Sequence, residues 1–199
     1  MTATRRSALL APLAALALAG CGLNSVPTAE ENVTAKWADV QSEYQRRSDL
    51  IPNLVETVRG YAKQESSVLA QVTQARADAG RVTLSAADLD DPAKVRAFND
   101  AQNRLTTAII PLQRLQEAYP DLKSNQNFLT LQSQIEGTEN SILVSRRDYN
   151  EAVQAYNTRI RTFPDAIGAK IFYGAKPKVP FEAATGAQEA PKVDFSPAG

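Results

Sequence analysis

Apolar side chains recur at alternating steps of four and three residues along the first half of the chain. The positions are Val33, Trp37, Val40, Tyr44, Arg47, Ile51, Leu54, Val58, Tyr61, Glu65, Val68, Val72 and Ala75, with mostly polar residues between them. Steps of three and four residues place side chains on one face of a helix, so the pattern predicts an amphipathic helix.

Pro52 lies within this pattern, which crosses it without a change of phase. A proline inside a helix lacks the N–H that would bind the carbonyl four residues earlier, and it bends the helix. The unbroken phase favours one long helix over about residues 30–79, kinked near Pro52 and ending near Gly80. The alternative is a new helix capped by Ser48 and Asp49.

Two further helices are predicted after a connection over residues 81–91. One covers about residues 92–119 and has Pro92 in its first turn, where proline is tolerated. The other covers about residues 122–162 and carries an aromatic or isoleucine residue at every seventh position, namely Phe128, Ile135, Ile142, Tyr149, Tyr156 and Phe163. The predicted fold is all-α, an elongated antiparallel up-and-down bundle of three to four long helices with coiled-coil seams.

The two ends of the chain are predicted to lie outside this helical domain of residues 29–173. Residues 1–20 combine Arg5 and Arg6 with a short apolar run, which is typical of a signal peptide and too short to span a bilayer. Residues 21–28 would be a tether. Half of residues 174–199 are Pro, Ala or Gly, which predicts a disordered tail that buries too little to offset its ordering entropy.

Cys21 follows Leu18, Ala19 and Gly20, a tetrapeptide that resembles a bacterial lipobox. Cleavage before Cys21 and attachment of diacylglycerol to its thiol would anchor the protein to a bacterial membrane, facing away from the cytoplasm within the cell envelope. The alternative is an incidental cysteine after an ordinary signal peptide.

The composition narrows the possible chemistry. The chain has 22 Lys and Arg, 22 Asp and Glu, one Cys and no His. Serine–histidine triads, histidine-bound zinc and intrachain disulfides are therefore excluded, and a neutral chain gives no reason to expect nucleic-acid binding. We predict no catalytic residues, no metal and no cofactor. A carboxylate-based enzyme or metal site using Asp49, Glu56, Glu136 or Glu139 is the weaker alternative.

Charged residues around Pro52 are the candidate functional positions. Arg47 falls on the apolar seam, so it should pair with Glu136 or Glu139 of the last helix in a buried ion pair. Arg46, Asp49, Asn53 and Glu56 follow one another at steps of three and four along a polar face. This face is predicted to bind a partner protein, and the alternative is that it packs against the last helix.

Several unusual strings occur in the order found in one bacterial family. They include Arg46-Arg47-Ser48-Asp49-Leu50-Ile51-Pro52-Asn53-Leu54, Tyr119-Pro120-Asp121-Leu122-Lys123, Glu136-Gly137-Thr138-Glu139-Asn140, Arg146-Arg147-Asp148-Tyr149-Asn150 and Arg161-Thr162-Phe163-Pro164. On these strings most of residues 29–173 resembles the LemA family. The resemblance implies a membrane-tethered helical bundle without established catalytic activity. Many members of the family begin with a membrane-spanning helix, whereas this sequence has the lipobox-like tetrapeptide in its place.

The expected function is that of a non-catalytic helical interaction or scaffold module that binds an unidentified envelope protein and is held at the membrane through Cys21. The alternative is a carrier of a lipid or other apolar ligand between its helices, which would need a continuous internal pocket.

Overall fold

A computed structural model describes residues 24–182, and the regular secondary structure of that part is entirely helical. The all-α prediction is therefore confirmed. The helices are α1 Ser25–Tyr61, α2 Ser66–Arg81, α3 Pro92–Ala118, α4 Pro120–Lys123, α5 Gln126–Arg159 and α6 Asp165–Gly168, with a 3₁₀ turn at Ala86–Asp88 and a π-helical turn at Ala169–Tyr173. The predicted signal peptide and Cys21 lie outside the described residues.

The long helices α1 and α5 make the most extensive helix–helix contact of this region. Arg159 donates to the Ser25 carbonyl at one end, Arg47 pairs with Glu139 in the middle, and Asn125, the residue before α5, donates to the Tyr61 hydroxyl at the other end. The residue numbers of α5 fall as those of α1 rise, so the two helices are antiparallel.

The prediction of one helix over residues 30–79 is wrong, because the helix breaks at residues 62–65. Arg76 of α2 donates to the backbone carbonyl of Ser48 at 2.8 Å, which places α2 back alongside the second half of α1. The reversal lets α2 contact both α1 and α3. Straight continuation would have carried its apolar residues Leu69 and Val72 away from the other helices.

Pro52 lies inside α1. The Ser48 carbonyl, four residues earlier, is the group that loses its helical N–H partner at this proline. The Arg76 guanidinium supplies the missing donor, so the proline is accommodated by a contact with α2.

The remaining boundaries follow local capping. Asp91 accepts hydrogen bonds from the backbone N–H groups of Ala93 and Lys94 and starts α3 at Pro92, as predicted. Asn125 caps the N–H of Phe128, so α5 begins four residues later than predicted, after the separate turn α4. The helix α1 begins at Ser25, inside the predicted tether of residues 21–28. Val26, in its first turn, is already buried in the core, and this contact stabilises the start of the helix.

The core consists of two adjoining apolar clusters along the helices. One cluster surrounds Trp37, Tyr149 and Tyr156 near the Ser25 end of α1. The other surrounds Leu54, Leu112 and Phe128 near the opposite end. Arg47 lies on α1 between the residues that α1 contributes to the two clusters.

The predicted disordered tail is corrected for residues 174–182. Gly174 adopts a left-handed backbone conformation that favours glycine and turns the chain out of the π-helical turn. The segment of residues 178–182, here called the strap, then lies against α5 and the loop before α3, and its Phe181 is buried. The rest of the predicted tail lies outside the described residues.

Candidate functional site

Arg47 is the main buried charge of the described region, and its side chain is 1% exposed. One guanidinium nitrogen, Nη1, donates to Thr106 Oγ1 at 2.7 Å and to Glu139 Oε1 at 2.8 Å. The other, Nη2, donates to Gln102 Oε1 at 2.8 Å. A single planar side chain therefore ties α1 to α3 and to α5, as the fork geometry of arginine permits.

The surroundings of this guanidinium are asymmetric. Its central carbon, Cζ, lies 5.1 Å from the centre of the Tyr44 ring on one side. The Arg47 Nε atom has no hydrogen-bond partner among the described residues. Glu139 is 33% exposed, so its carboxylate keeps contact with water while its partner does not. The structure thus brings Arg47 and Glu139 together. Glu136 is exposed and accepts a hydrogen bond from Gln132 on its own helix instead.

The polar face of α1 comprises Arg46, Asp49, Asn53 and Glu56, and all four side chains are exposed. Asp49 accepts a hydrogen bond from Gln45, and Glu56 pairs with Arg59, both within α1. Exposed pairs of this kind contribute at most about 1 kcal/mol to stability. The face therefore does not pack against α5, which was the alternative interpretation.

Two asparagines of α5 bind the strap through its backbone. Asn157 Nδ2 donates to the Lys178 carbonyl and Asn157 Oδ1 accepts from the Lys178 N–H, both at 2.8 Å. Asn150 makes the same two bonds with Phe181, at 3.0 and 2.8 Å. Because the asparagines are seven residues apart, both face the same side of the helix, and they hold an extended chain that runs antiparallel to it.

Tyr149 and the aromatic core complete this contact. The Tyr149 hydroxyl donates to the Val179 carbonyl at 2.9 Å, and burial raises the pKa of this phenol, so it stays protonated as a donor. The Phe181 ring lies 5.3 Å from Tyr149 and 5.9 Å from Trp37, and the Arg146 guanidinium lies 4.7 Å from its centre. The strap is therefore held by backbone pairing and by one aromatic anchor.

The carboxylates considered for metal binding do not converge. No group of three or more Asp, Glu, Cys or His side chains within residues 24–182 has an arrangement that suits a metal ion. Asp49 and Glu56 are exposed on α1, whereas Glu139 is engaged with Arg47.

Sequence reasoning missed the partners that complete these two polar sites. Gln102 and Thr106 bind Arg47, and the strap occupies Asn150 and Asn157. One signal was available for the first, since Gln102 interrupts the apolar face of α3 at the level of Phe98 and Leu105. Asn150 and Asn157 each follow a tyrosine of the α5 seam, but this repeat does not indicate the strap as their partner.

These features define an all-helical protein in which a buried arginine joins three helices and a C-terminal segment is bound through its backbone. The matching family model covers residues 36–195, and the chain belongs to the LemA family. The match continues past residue 173 and includes the strap.

Individual relatives agree with this membership. The chain is 27% identical over 124 residues to Protein LemA of Metamycoplasma hominis, covering 62% of this chain and 52% of that protein. It is 26% identical over 157 residues to the magnetosome proteins MamQ 1 and MamQ 2 of Paramagnetospirillum magneticum, covering 71% of this chain and 58% of each. The chain thus spans little more than half the length of these relatives.

Proposed function

We propose that the protein is a non-catalytic scaffold module, an elongated up-and-down helical bundle that is anchored to a bacterial membrane through Cys21 and binds another envelope protein. The polar face of α1 is the proposed binding surface. The observation that carries the proposal is the exposure of all four of its side chains on a helix whose opposite side is fixed by Arg47.

A rigid exposed face suits protein recognition for a physical reason. Side chains on a helix that is already packed lose little further backbone entropy on binding, so more of the contact energy appears as affinity. Arg46, Asp49, Asn53 and Glu56 offer donors and acceptors of both charges over about three helical turns, which favours a polar partner surface of mixed charge.

The membrane anchor rests on the lipobox at Cys21. None of the helices in residues 24–182 is long and apolar enough to cross a bilayer. We propose lipidation of Cys21 from the sequence that surrounds it, since a diacylglycerol with a further acyl chain gives stable attachment.

Replacing Cys21 with Ser tests the anchor. We expect Cys21→Ser to move the protein from the membrane pellet to the soluble fraction or to leave an uncleaved precursor, because the acceptor thiol is lost. Membrane fractionation and mass spectrometry of the intact chain provide the measurement. An unmodified Cys21 on a chain that begins at residue 21 would contradict lipidation.

Substitutions on the polar face test the binding surface. We expect Asn53→Ala and Glu56→Ala to change the free energy of unfolding by less than about 0.5 kcal/mol, since both side chains are exposed. After crosslinking in intact cells, recovery of the partner should fall about fivefold or more, the effect of losing roughly 1 kcal/mol at a contact residue.

Matched controls exist on α5, where Asn127 and Glu151 are exposed residues of the same types. Asn127→Ala and Glu151→Ala should leave both stability and partner recovery unchanged. If the α1 variants unfold early, the face is structural; if they stay folded and recover the partner like the controls, binding occurs elsewhere.

No observation favours the alternative of a carrier for an apolar ligand. The space between the helices is occupied by fully buried side chains, among them Trp37, Leu54 and Phe128. A carrier would need a continuous internal pocket in their place.

A further inference from the structure

Exposed apolar side chains are concentrated at one end of the molecule. Five of the ten large apolar or aromatic residues that are exposed within residues 24–182 fall between residues 163 and 173. They are Phe163, Ile167, Ile171, Phe172 and Tyr173, and we call them the apolar tip. Phe163 is 82% exposed, and Ile171 and Phe172 are each more than 65% exposed. Scattered single residues of this kind are normal on protein surfaces, but a cluster marks a contact site.

The apolar tip lies at the end of the molecule where α1 begins. Arg159 donates to the Ser25 carbonyl at 3.4 Å and lies 3.8 Å from Asp165 of α6, so one side chain connects the start of α1 with the tip segment. The helix α6 also contacts α1 directly. The strap runs the other way along α5, from Asn157 towards Arg146.

Cys21 precedes Ser25 by four residues. A fully extended chain covers at most about 3.6 Å per residue, so Cys21 is within about 14 Å of Ser25 whatever conformation the intervening residues adopt. A lipid on Cys21 therefore brings this end of the helices to the headgroup level of a bilayer.

Basic side chains accompany the apolar residues of the tip. Arg161 and Lys170 are exposed, and the acidic residue of this segment, Asp165, is near Arg159. Aromatic and aliphatic side chains flanked by cations suit the membrane interface, where rings enter the headgroup boundary and cations meet anionic lipid.

We propose that the apolar tip inserts into the surface of the membrane that anchors the protein, so that the helices stand on the bilayer at the Ser25 end. This rests on the proposed lipid anchor at Cys21. A lipid together with an inserted tip restricts the orientation of the molecule, whereas a lipid on a short tether alone leaves it free to tilt.

Tryptophan quenching by lipid provides the test, because Trp37 is the single tryptophan of the chain and is buried in the core. The full protein with Phe172→Trp is extracted from bacterial membranes and reconstituted in vesicles of phosphatidylglycerol and brominated phosphatidylcholine. Vesicle-bound protein is collected by flotation. We expect roughly half of the added emission to be lost, since interfacial side chains lie about 5–10 Å into the boundary between headgroups and acyl chains.

Leu143→Trp is the matched control. Leu143 is also exposed, but it lies 16 residues before the end of α5, about 24 Å along the helix from the tip. Its emission should not be quenched. Equal quenching at the two positions, or none at position 172 in protein that floats with the vesicles, would overturn membrane insertion. Failure to float would instead overturn the anchor, and with it the contact.

A second copy of the chain is the competing occupant of the tip. If the emission of Phe172→Trp shifts to shorter wavelength as protein concentration rises in detergent without vesicles, the tip is covered by another copy, and membrane insertion is wrong.

Discussion

The Phe181→Ala protein is expected to unfold at a clearly lower temperature than the unsubstituted chain. Phe181 lies among Trp37, Phe98 and Tyr149, and its loss leaves a cavity in the apolar cluster around Trp37 and Tyr149. Removing a buried phenylalanine costs about 3–5 kcal/mol. Release of the strap limits the loss, so we take about 3 kcal/mol, which lowers Tm by about 6–12 °C for a chain of this length. Thermal unfolding monitored by circular dichroism measures this change in Tm.

Phe163→Ala is the control for this prediction, since the same atoms are removed from a side chain that is 82% exposed. Its free energy of unfolding should change by less than about 0.5 kcal/mol. The strap is not helical, so the helical signal at low temperature should be the same in both variants. Equal melting of the two variants would show that residues 178–182 do not stabilise the helices.

The helices themselves were largely predictable from the sequence. The start of α3 follows from Asp91 and Pro92. Their capping chemistry involves neighbouring residues only, so this helix start can be recognised from the sequence without knowledge of the fold. The buried seam from Val33 to Val58 was also predicted correctly. Apolar periodicity depends only on which side of a helix faces the core, so it is visible in the sequence.

The break after α1 could not be placed in the same way. Residues 62–65 contain no proline or glycine, and the four-three spacing continues through them. The structure departs from the pattern at two positions. Tyr61 is exposed although the pattern places it in the seam, and Leu69, one residue after the predicted Val68, is buried. The chain reverses because α2 finds partners on α1 and α3, which is a tertiary effect.

The strap was missed because extended chain follows no helical period. Its apolar residues Val179 and Phe181 are two positions apart, and half of residues 174–199 are Pro, Ala or Gly, so composition alone indicated disorder. What orders it is the matching set of backbone bonds from Asn150 and Asn157. In the sequence, nothing about the two asparagines indicates that they bind the strap, and nothing about the strap indicates that it binds them.

The buried arginine was predictable in part. A charged residue on an apolar seam requires a partner of opposite charge. This requirement led to the prediction that Arg47 pairs with an acidic residue of α5. The choice between Glu136 and Glu139 depends on helix rotation and register, and the spacing of α5 does not fix these relative to α1. The further bonds to Gln102 and Thr106 depend on the position of α3.

Arg47→Ala is expected to lower the free energy of unfolding by about 3 kcal/mol, or Tm by about 6–12 °C. The substitution leaves Gln102 Oε1 and Thr106 without their donor and opens space between three helices. Glu139 is partly exposed and can be hydrated, which keeps the loss at the lower end of the range for broken buried pairs. Arg46→Ala is the control, because it removes the same side chain from an exposed neighbouring position and should change stability by less than about 0.5 kcal/mol.

A double-mutant cycle separates the ion pair from the packing of the arginine. Glu139→Ala alone leaves the Arg47 charge buried without its carboxylate, so it too should be destabilising, although Glu139 buries less surface. If the pair acts as a unit, the loss in the doubly substituted chain should fall short of the summed single losses by about 1–3 kcal/mol. Urea unfolding of the four proteins gives the coupling energy. Strictly additive losses would show that Arg47 stabilises the helices through its bonds to Gln102 and Thr106 and its hydrocarbon contacts, and that Glu139 contributes independently of it.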